Sequence, residues 1–173
     1  MKKYWDELFQ KREENFPHEK VLEDNLALFQ GKNIVELGAG DGRNSLYLDE
    51  KGFNITAIDY STIAINKINF LNPRINTKVM DVEKEKISLE EFNMVLFIHY
   101  FPDYIKFLEL MEASREGTVF FVYTFIREEV MGNKKMVAIS YEEIEKINKN
   151  LNVLNFKLEE DNRGKLVYVL IKK

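Results

Sequence analysis

Cysteine is absent from the 173 residues, which excludes a disulfide framework, a thiolate zinc site and a cysteine nucleophile. Histidine is nearly absent too. His18 and His99 are left to carry imidazole chemistry, and no metal site is assigned. Long apolar runs are missing: the longest uncharged stretches in apolar regions, Met94 to Pro102 and Gly117 to Ile126, fall far short of the ~20 residues that span a bilayer. They read as buried strands. No Lys/Arg block supplies the basic face of a nucleic-acid binder, and 25 basic against 29 acidic residues leave a net charge of −4. Neither nucleic acid nor a membrane is therefore an expected partner. The opening Met-Lys-Lys-Tyr-Trp-Asp lacks the apolar segment of a secretory signal, which points to the cytoplasm. What remains is ordinary globular composition, without internal repeats and with its few Pro and Gly scattered where elements begin or end. One continuous domain over 1–173 is expected, with 1–30 as an N-terminal helical cap.

Strand and helix patterns alternate through most of the chain. After an amphipathic opening (Tyr4, Trp5, Leu8, Phe9) and a helical stretch from about Glu19 to Phe29, Asn33 to Leu37 reads as a strand. Gly38 to Gly42 forms a flexible turn, Arg43 to Lys51 a helix stopped by Gly52, and Asn54 to Ile58 a second strand. Ser61 is a plausible N-cap for a helix whose apolar face is Ala64, Ile65, Ile68 and Leu71. Ile75 to Met80 and Asn93 to His99 supply strands three and four, and Pro102 opens a helix carrying Ile105, Leu108 and Met111. Strand five follows Gly117. Ser140-Tyr-Glu-Glu143 is a capping box, and a hairpin near Leu151 to Leu158 and Lys165 to Ile171 turns at Asp161 to Gly164. This alternation predicts an α/β, Rossmann-like, doubly wound seven-stranded sheet, mostly parallel with a C-terminal antiparallel hairpin. In such sheets the ligand lies beyond the C-terminal ends of the strands.

Three alternate glycines, Gly38, Gly40 and Gly42, stand between a strand and a helix whose unpaired N–H groups favour an anionic ligand group. The spacing is G-x-G-x-G. Dinucleotide enzymes prefer G-x-G-x-x-G, so an NAD(P)-binding oxidoreductase is the second reading. Asp59 ends strand two, 19 residues after Gly40, where a carboxylate can accept from both hydroxyls of a ribose. Asp81 ends strand three, where it suits an adenine amino group while the Val82 N–H reaches a ring nitrogen. The ligand so defined is an adenosine with an anionic tail.

The E-x-G-x-G-x-G turn at Glu36 to Gly42, with Asp59 and Asp81-Val82, resembles the class I S-adenosylmethionine-dependent methyltransferases. Within that class, Gly38-Ala39-Gly40-Asp41-Gly42-Arg43-Asn44-Ser45-Leu46-Tyr47-Leu48 and Pro17-His18-Glu19-Lys20-Val21-Leu22-Glu23 are similar to the tellurite-resistance (TehB-like) small-molecule methyltransferases. The resemblance implies S-adenosyl-L-methionine as cofactor, contacted by Glu36, Gly38, Ala39, Gly40, Asp41 and Asn44 at the turn. Asp59, Tyr60, Asp81, Val82 and His99 would complete that set, with Glu36 near the methionine amino group. His99 and Tyr100, after strand four, are the candidate catalytic residues. Tyr4, Trp5, His18, Tyr104 and Tyr123 are candidate substrate contacts, and aromatic faces suit a sulfonium by ~0.5 to 2 kcal/mol.

The implied activity is methyl transfer to a small-molecule acceptor, in which the protein chiefly aligns the reactants. A hydroxyl or amine acceptor would add the need for a base such as His99. A non-catalytic S-adenosylmethionine-binding protein would carry the same cofactor signature. The partner expected is a small-molecule substrate, for a monomer or homodimer.

Overall fold

The structure, a computed structural model, describes residues 2–13, 16–132 and 137–173. Two compact units, Met1–Lys86 and Ile87–Lys173, make up the chain. In Met1–Lys86, α1 (Lys2–Lys11), α2 (Lys20–Asn25) and a 3-10 turn (Leu26–Leu28) precede β1 (Asn33–Leu37), α3 (Arg43–Glu50), β2 (Asn54–Asp59), α4 (Thr62–Leu71) and β3 (Asn76–Val79). β1 runs parallel to β2 with Leu37 opposite Ile58, and β2 runs parallel to β3 with Asp59 opposite Val79. That register sets the loops leaving the C-terminal ends of β1, β2 and β3 beside one another. Ile34, Val35 and Leu37 are fully buried, as continuous apolar runs in parallel strands should be.

Ser61 caps α4 as its sequence predicts, its hydroxyl accepting from the Ala64 N–H. The buried face of α4 is Ala64, Ile65 and Ile68, whereas Leu71, expected on that face, is exposed in the last turn. The stretch expected as one helix from Glu19 to Phe29 is shorter, α2 giving way to the 3-10 turn at Leu26.

In Ile87–Lys173 the elements are β4 (Met94–Ile98), α5 (Tyr104–Glu112), β5 (Val119–Phe125), a 3-10 turn (Arg127–Glu129), α6 (Tyr141–Asn150), β6 (Val153–Asp161) and β7 (Gly164–Lys172). β4 and β5 are parallel and buried at every position. β7 pairs antiparallel with both β5 and β6, and Asn162-Arg163 turns the β6–β7 hairpin between Asp161 and Gly164. Ser140 and Glu143 make the predicted capping box of α6.

Two details differ from the sequence pattern. α5 starts later than Pro102, because the Asp103 side chain accepts from the Lys106 N–H and so fixes the cap there. Its buried face is Phe107, Leu110 and Met111, while Ile105 points to solvent. The seven strands stand in the order β3-β2-β1-β4-β5-β7-β6, a mixed sheet, mostly parallel, of α/β Rossmann-like type. Among the described residues no helix is long and apolar enough to cross a membrane.

Candidate functional site

The glycine turn hangs on the end of β2. The N–H groups of Gly38 and Ala39 both donate to the Ile58 carbonyl, at 2.9 and 3.0 Å, and the Gly40 N–H donates to Asp59 Oδ2 at 2.9 Å. Asp59 Oδ1 accepts from the Ser61 N–H at 2.8 Å. Burial pushes the Asp59 carboxyl up from its ordinary range, and the two backbone N–H groups pull the other way. Thus the N–H groups of Gly38, Ala39 and Gly40 are spent on the protein itself, and Asp59 is the brace that holds the turn. A carboxylate has about four acceptor positions, so capacity for ribose hydroxyls remains after two are used.

All three turn glycines have positive φ: 72° at Gly38, 57° at Gly40 and 86° at Gly42. At two of them the missing side chain serves packing. A Cβ on Gly42 would lie 2.5 Å from Ile68 Cγ1 of α4, and one on Gly40 would lie 3.2 Å from the Phe9 ring of α1.

Beneath the turn lies a buried polar cluster. Glu36 accepts from Asn44 Nδ2 at 3.0 Å and from the Ser45 hydroxyl at 2.5 Å, while Asn44 Oδ1 accepts from the Glu19 N–H at 3.0 Å. Burial raises the Glu36 carboxyl, and the Ser45 and Asn44 hydrogen bonds work against it. Arg43 reaches Glu19 at 2.8 Å, and Arg12 reaches the buried Asp41 at 2.7 Å. Glu36 and Asn44 are therefore in direct contact, Asp41 is buried on Arg12, and each of the three already has a side-chain partner. Ser45 and Arg12 were missed. The serine follows an asparagine in the run that carries the resemblance, but Arg12 lies in a segment with no motif to mark it.

Beside Asp59, the Tyr60 hydroxyl is buried without a hydrogen-bond partner; burial, then the charges of Asp59, Asp81 and Asp6, push it up to about 12. Asp81 accepts from the Glu83 N–H at 3.2 Å and pairs with Lys84 at 2.7 Å, and Val82 is buried next to it. Trp5 stacks on Phe9 with ring centroids 6.0 Å apart, while Tyr4 is exposed. His18 stacks on Tyr47 at 3.7 Å with its Nε2 2.5 Å from Glu23.

In Ile87–Lys173, His99 lies one residue beyond β4 rather than within it, in a left-handed conformation at φ 55°. Its N–H donates to the Tyr123 carbonyl, and its ring stacks on Phe125 at 4.7 Å and meets Tyr123 edge-on at 5.7 Å. Arg163 Nη1, from the β6–β7 turn, is 3.5 Å from His99 Nε2. The Tyr123 hydroxyl points to Glu159 at 3.4 Å. His99 and Tyr123 thus belong to one cluster. Tyr100 packs toward Phe97, and the contacts of Tyr104 run to α6, its N–H donating to Glu143 and Lys146 lying over its ring.

A Rossmann-like mixed sheet of this order, with Asp59 ending β2 and a G-x-G-x-G turn after β1, is the arrangement expected of an S-adenosylmethionine-dependent methyltransferase. The model of the family described as tellurite resistance protein TehB matches residues 2–127, and the chain belongs to that family. Among solved structures, TehB from Haemophilus influenzae is similar at 17% identity and a TM-score of 0.75, covering 98% of this chain and 67% of that one. A SAM-dependent methyltransferase from Methanosarcina mazei is similar at 13% identity and 0.67, over 91% and 99%. So is a coclaurine N-methyltransferase bound to N-methylheliamine and SAH, at 13% and 0.68, over 88% and 71%. No curated protein matches the chain by sequence.

Proposed function

We propose that this methyltransferase acts on a small-molecule acceptor, and that 1–173 works as one domain in the cytoplasm, as a monomer or homodimer, without nucleic-acid or membrane partners. Residues 1–30 serve as its helical cap. The observation that carries the cofactor reading is the buried Tyr60 hydroxyl, left without a partner beside an Asp59 carboxylate that keeps acceptor capacity. A buried hydroxyl without a bond costs about 1 to 3 kcal/mol, which a ligand's polar group would recover. These groups fit an adenosyl ligand. Asp59 takes the ribose hydroxyls, Tyr60, Asp81 and Val82 flank the base, and the turn from Gly38 to Asp41 with Glu36 and Asn44 holds the amino-acid tail.

S-adenosylmethionine, when bound, supplies a methyl group on a sulfonium that is already a good leaving group. The protein's own residues have to bind, align and exclude water, which can be worth up to ~7 to 11 kcal/mol of the barrier. His99, at the tip of β4, is the proposed base for a hydroxyl or amine acceptor, and its contact with the methionine part is part of the same proposal. Tyr100 is the second candidate for that proton. Tyr104 and Tyr123 are proposed to contact the acceptor, as are Tyr4, Trp5 and His18 from the cap. The N-methyltransferase neighbour bound to N-methylheliamine and SAH supports an acceptor of that size.

Thermal denaturation with S-adenosylmethionine, S-adenosylhomocysteine and NADH tests the reading. The S-adenosyl compounds should raise the melting temperature by mass action while NADH leaves it unchanged. A shift with NADH alone would make the chain an oxidoreductase, and a shift without labelled-methyl transfer to any component of a metabolite extract would make it a non-catalytic binder.

A further inference from the structure

We propose that Arg12, one residue past the end of α1, is the carboxylate-reading residue of the cofactor site, delivered there because α1 lies across the loops after β1 and β2. The inference rests on the cofactor reading above and goes beyond it by assigning a residue that the glycine motif does not contain. Three contacts fix α1 and the arginine that follows it over the loops. Asp6 accepts from the Ser61 hydroxyl after β2, Phe9 lies against Gly40, and Arg12 Nη1 meets Asp41 Oδ2 at 2.7 Å. The Lys67 ammonium of α4 donates to the Arg12 carbonyl.

The charge around the turn requires such a residue. Glu36, Asp41 and Asp59 are all buried there, so an amino-acid tail entering among them finds a good environment for its ammonium and a repulsive one for its carboxylate. Two guanidinium groups stand at this tip. That of Arg43 is held away from the turn's centre by Glu19 and the Pro17 carbonyl. That of Arg12 sits on Asp41 inside the turn, 19% exposed, over the Phe16 ring at 4.5 Å. A guanidinium offers five N–H donors in a planar fork, so one carboxylate does not exhaust it and a second is bound with directional strength. Asp41 holds the fork in place, and Arg12 cancels the Asp41 charge that would otherwise repel the tail.

Calorimetric binding of two ligands to the full chain tests this. S-adenosylhomocysteine carries the amino-acid tail, and 5′-methylthioadenosine has the same adenosyl thioether without it. Arg12→Ala should weaken S-adenosylhomocysteine at least tenfold and change 5′-methylthioadenosine less than twofold; Arg12→Lys, which keeps the charge and loses the fork, should fall between. Binding of 5′-methylthioadenosine also reports that the variant is folded, and if the alanine variant does not fold the lysine variant carries the comparison. Equal weakening of both ligands makes Arg12 a brace of the turn and overturns the proposal, as does unchanged affinity for both. A parent chain that binds 5′-methylthioadenosine while ignoring the tail refutes the Arg12 role alone, whereas a parent that binds neither ligand removes the cofactor reading and this proposal with it.

Discussion

The strand tips of Met1–Lys86 and the tip after β4 in Ile87–Lys173 are built from different materials. The first is buried charge held by hydrogen bonds: Glu36 on Asn44 and Ser45, Asp59 on Gly40 and Ser61, Asp41 on Arg12. The second is rings, with His99 between Phe125 and Tyr123 and polar contacts entering from Arg163 and Glu159 of the C-terminal hairpin. Buried carboxylates are costly unless paired, so they constrain their neighbours tightly, and a rigid site of fixed charge suits a ligand that never varies. Aromatic faces bind by area and by position, which suits an acceptor that differs from one relative to the next.

The comparison breaks first at Gly42. Alanine there would combine φ 86° with a Cβ 2.5 Å from Ile68, and we expect a loss of about 3 kcal/mol or more in urea unfolding. Gly52, at φ 83° with open space around it, should lose about 1 kcal/mol on the same change. Equal losses would mean that the turn is not packed as tightly as described. For the ring cluster, His99→Asn keeps a residue that tolerates the left-handed conformation. It should lower methyl transfer to the acceptor about a hundredfold and weaken S-adenosylhomocysteine by less, in keeping with the proposed His99 contact to the methionine part; an affinity loss as large as the rate loss would blur the division between the two tips. Asp59→Ala should weaken S-adenosyl ligands by about 1 to 3 kcal/mol, since ribose hydroxyls and two backbone N–H groups lose their acceptor. Unchanged affinity would remove Asp59 from the site.

The smallest effect is a pH dependence. Burial holds the Glu36 carboxyl above its ordinary 4.5, so the folded chain binds this proton more readily than the unfolded one. Stability from this group is therefore greatest below about 4.5 and falls as pH rises from there through the raised folded value. Glu36→Gln should gain relative to the parent over that range, by a margin read from paired melting curves. A pH-independent difference would show that the Asn44 and Ser45 bonds fully offset burial.

How much of this was legible in the chain differs between the two tips. G-x-G-x-G, Asp59 and Asp81 are local signals, because each sits at or just past a strand end, and the Ser61 and Ser140 caps are local in the same way. Arg12 left no signal: its partner Asp41 is 29 residues away, and nothing in the run Gln10-Lys11-Arg12 distinguishes one base from the next. Similarly, the helix after Pro102 was readable from its apolar spacing, but not which of two sets sharing Met111, Ile105 with Leu108 or Phe107 with Leu110, would form the buried face, since both have helical spacing.

By itself the sequence determined the succession of strands and helices, the flexible glycine turn after β1, and the acids Asp59 at the end of β2 and Asp81 just past β3. Those features follow from periodicity and backbone conformation, which act over a few residues. Tertiary structure alone decided that the turn's N–H groups serve β2, that Gly40 and Gly42 make room for Phe9 and Ile68, and that a hairpin arginine reaches His99. Hydrogen-bond donors and empty space are shared among residues far apart in the chain, so their allocation exists only once the chain has folded.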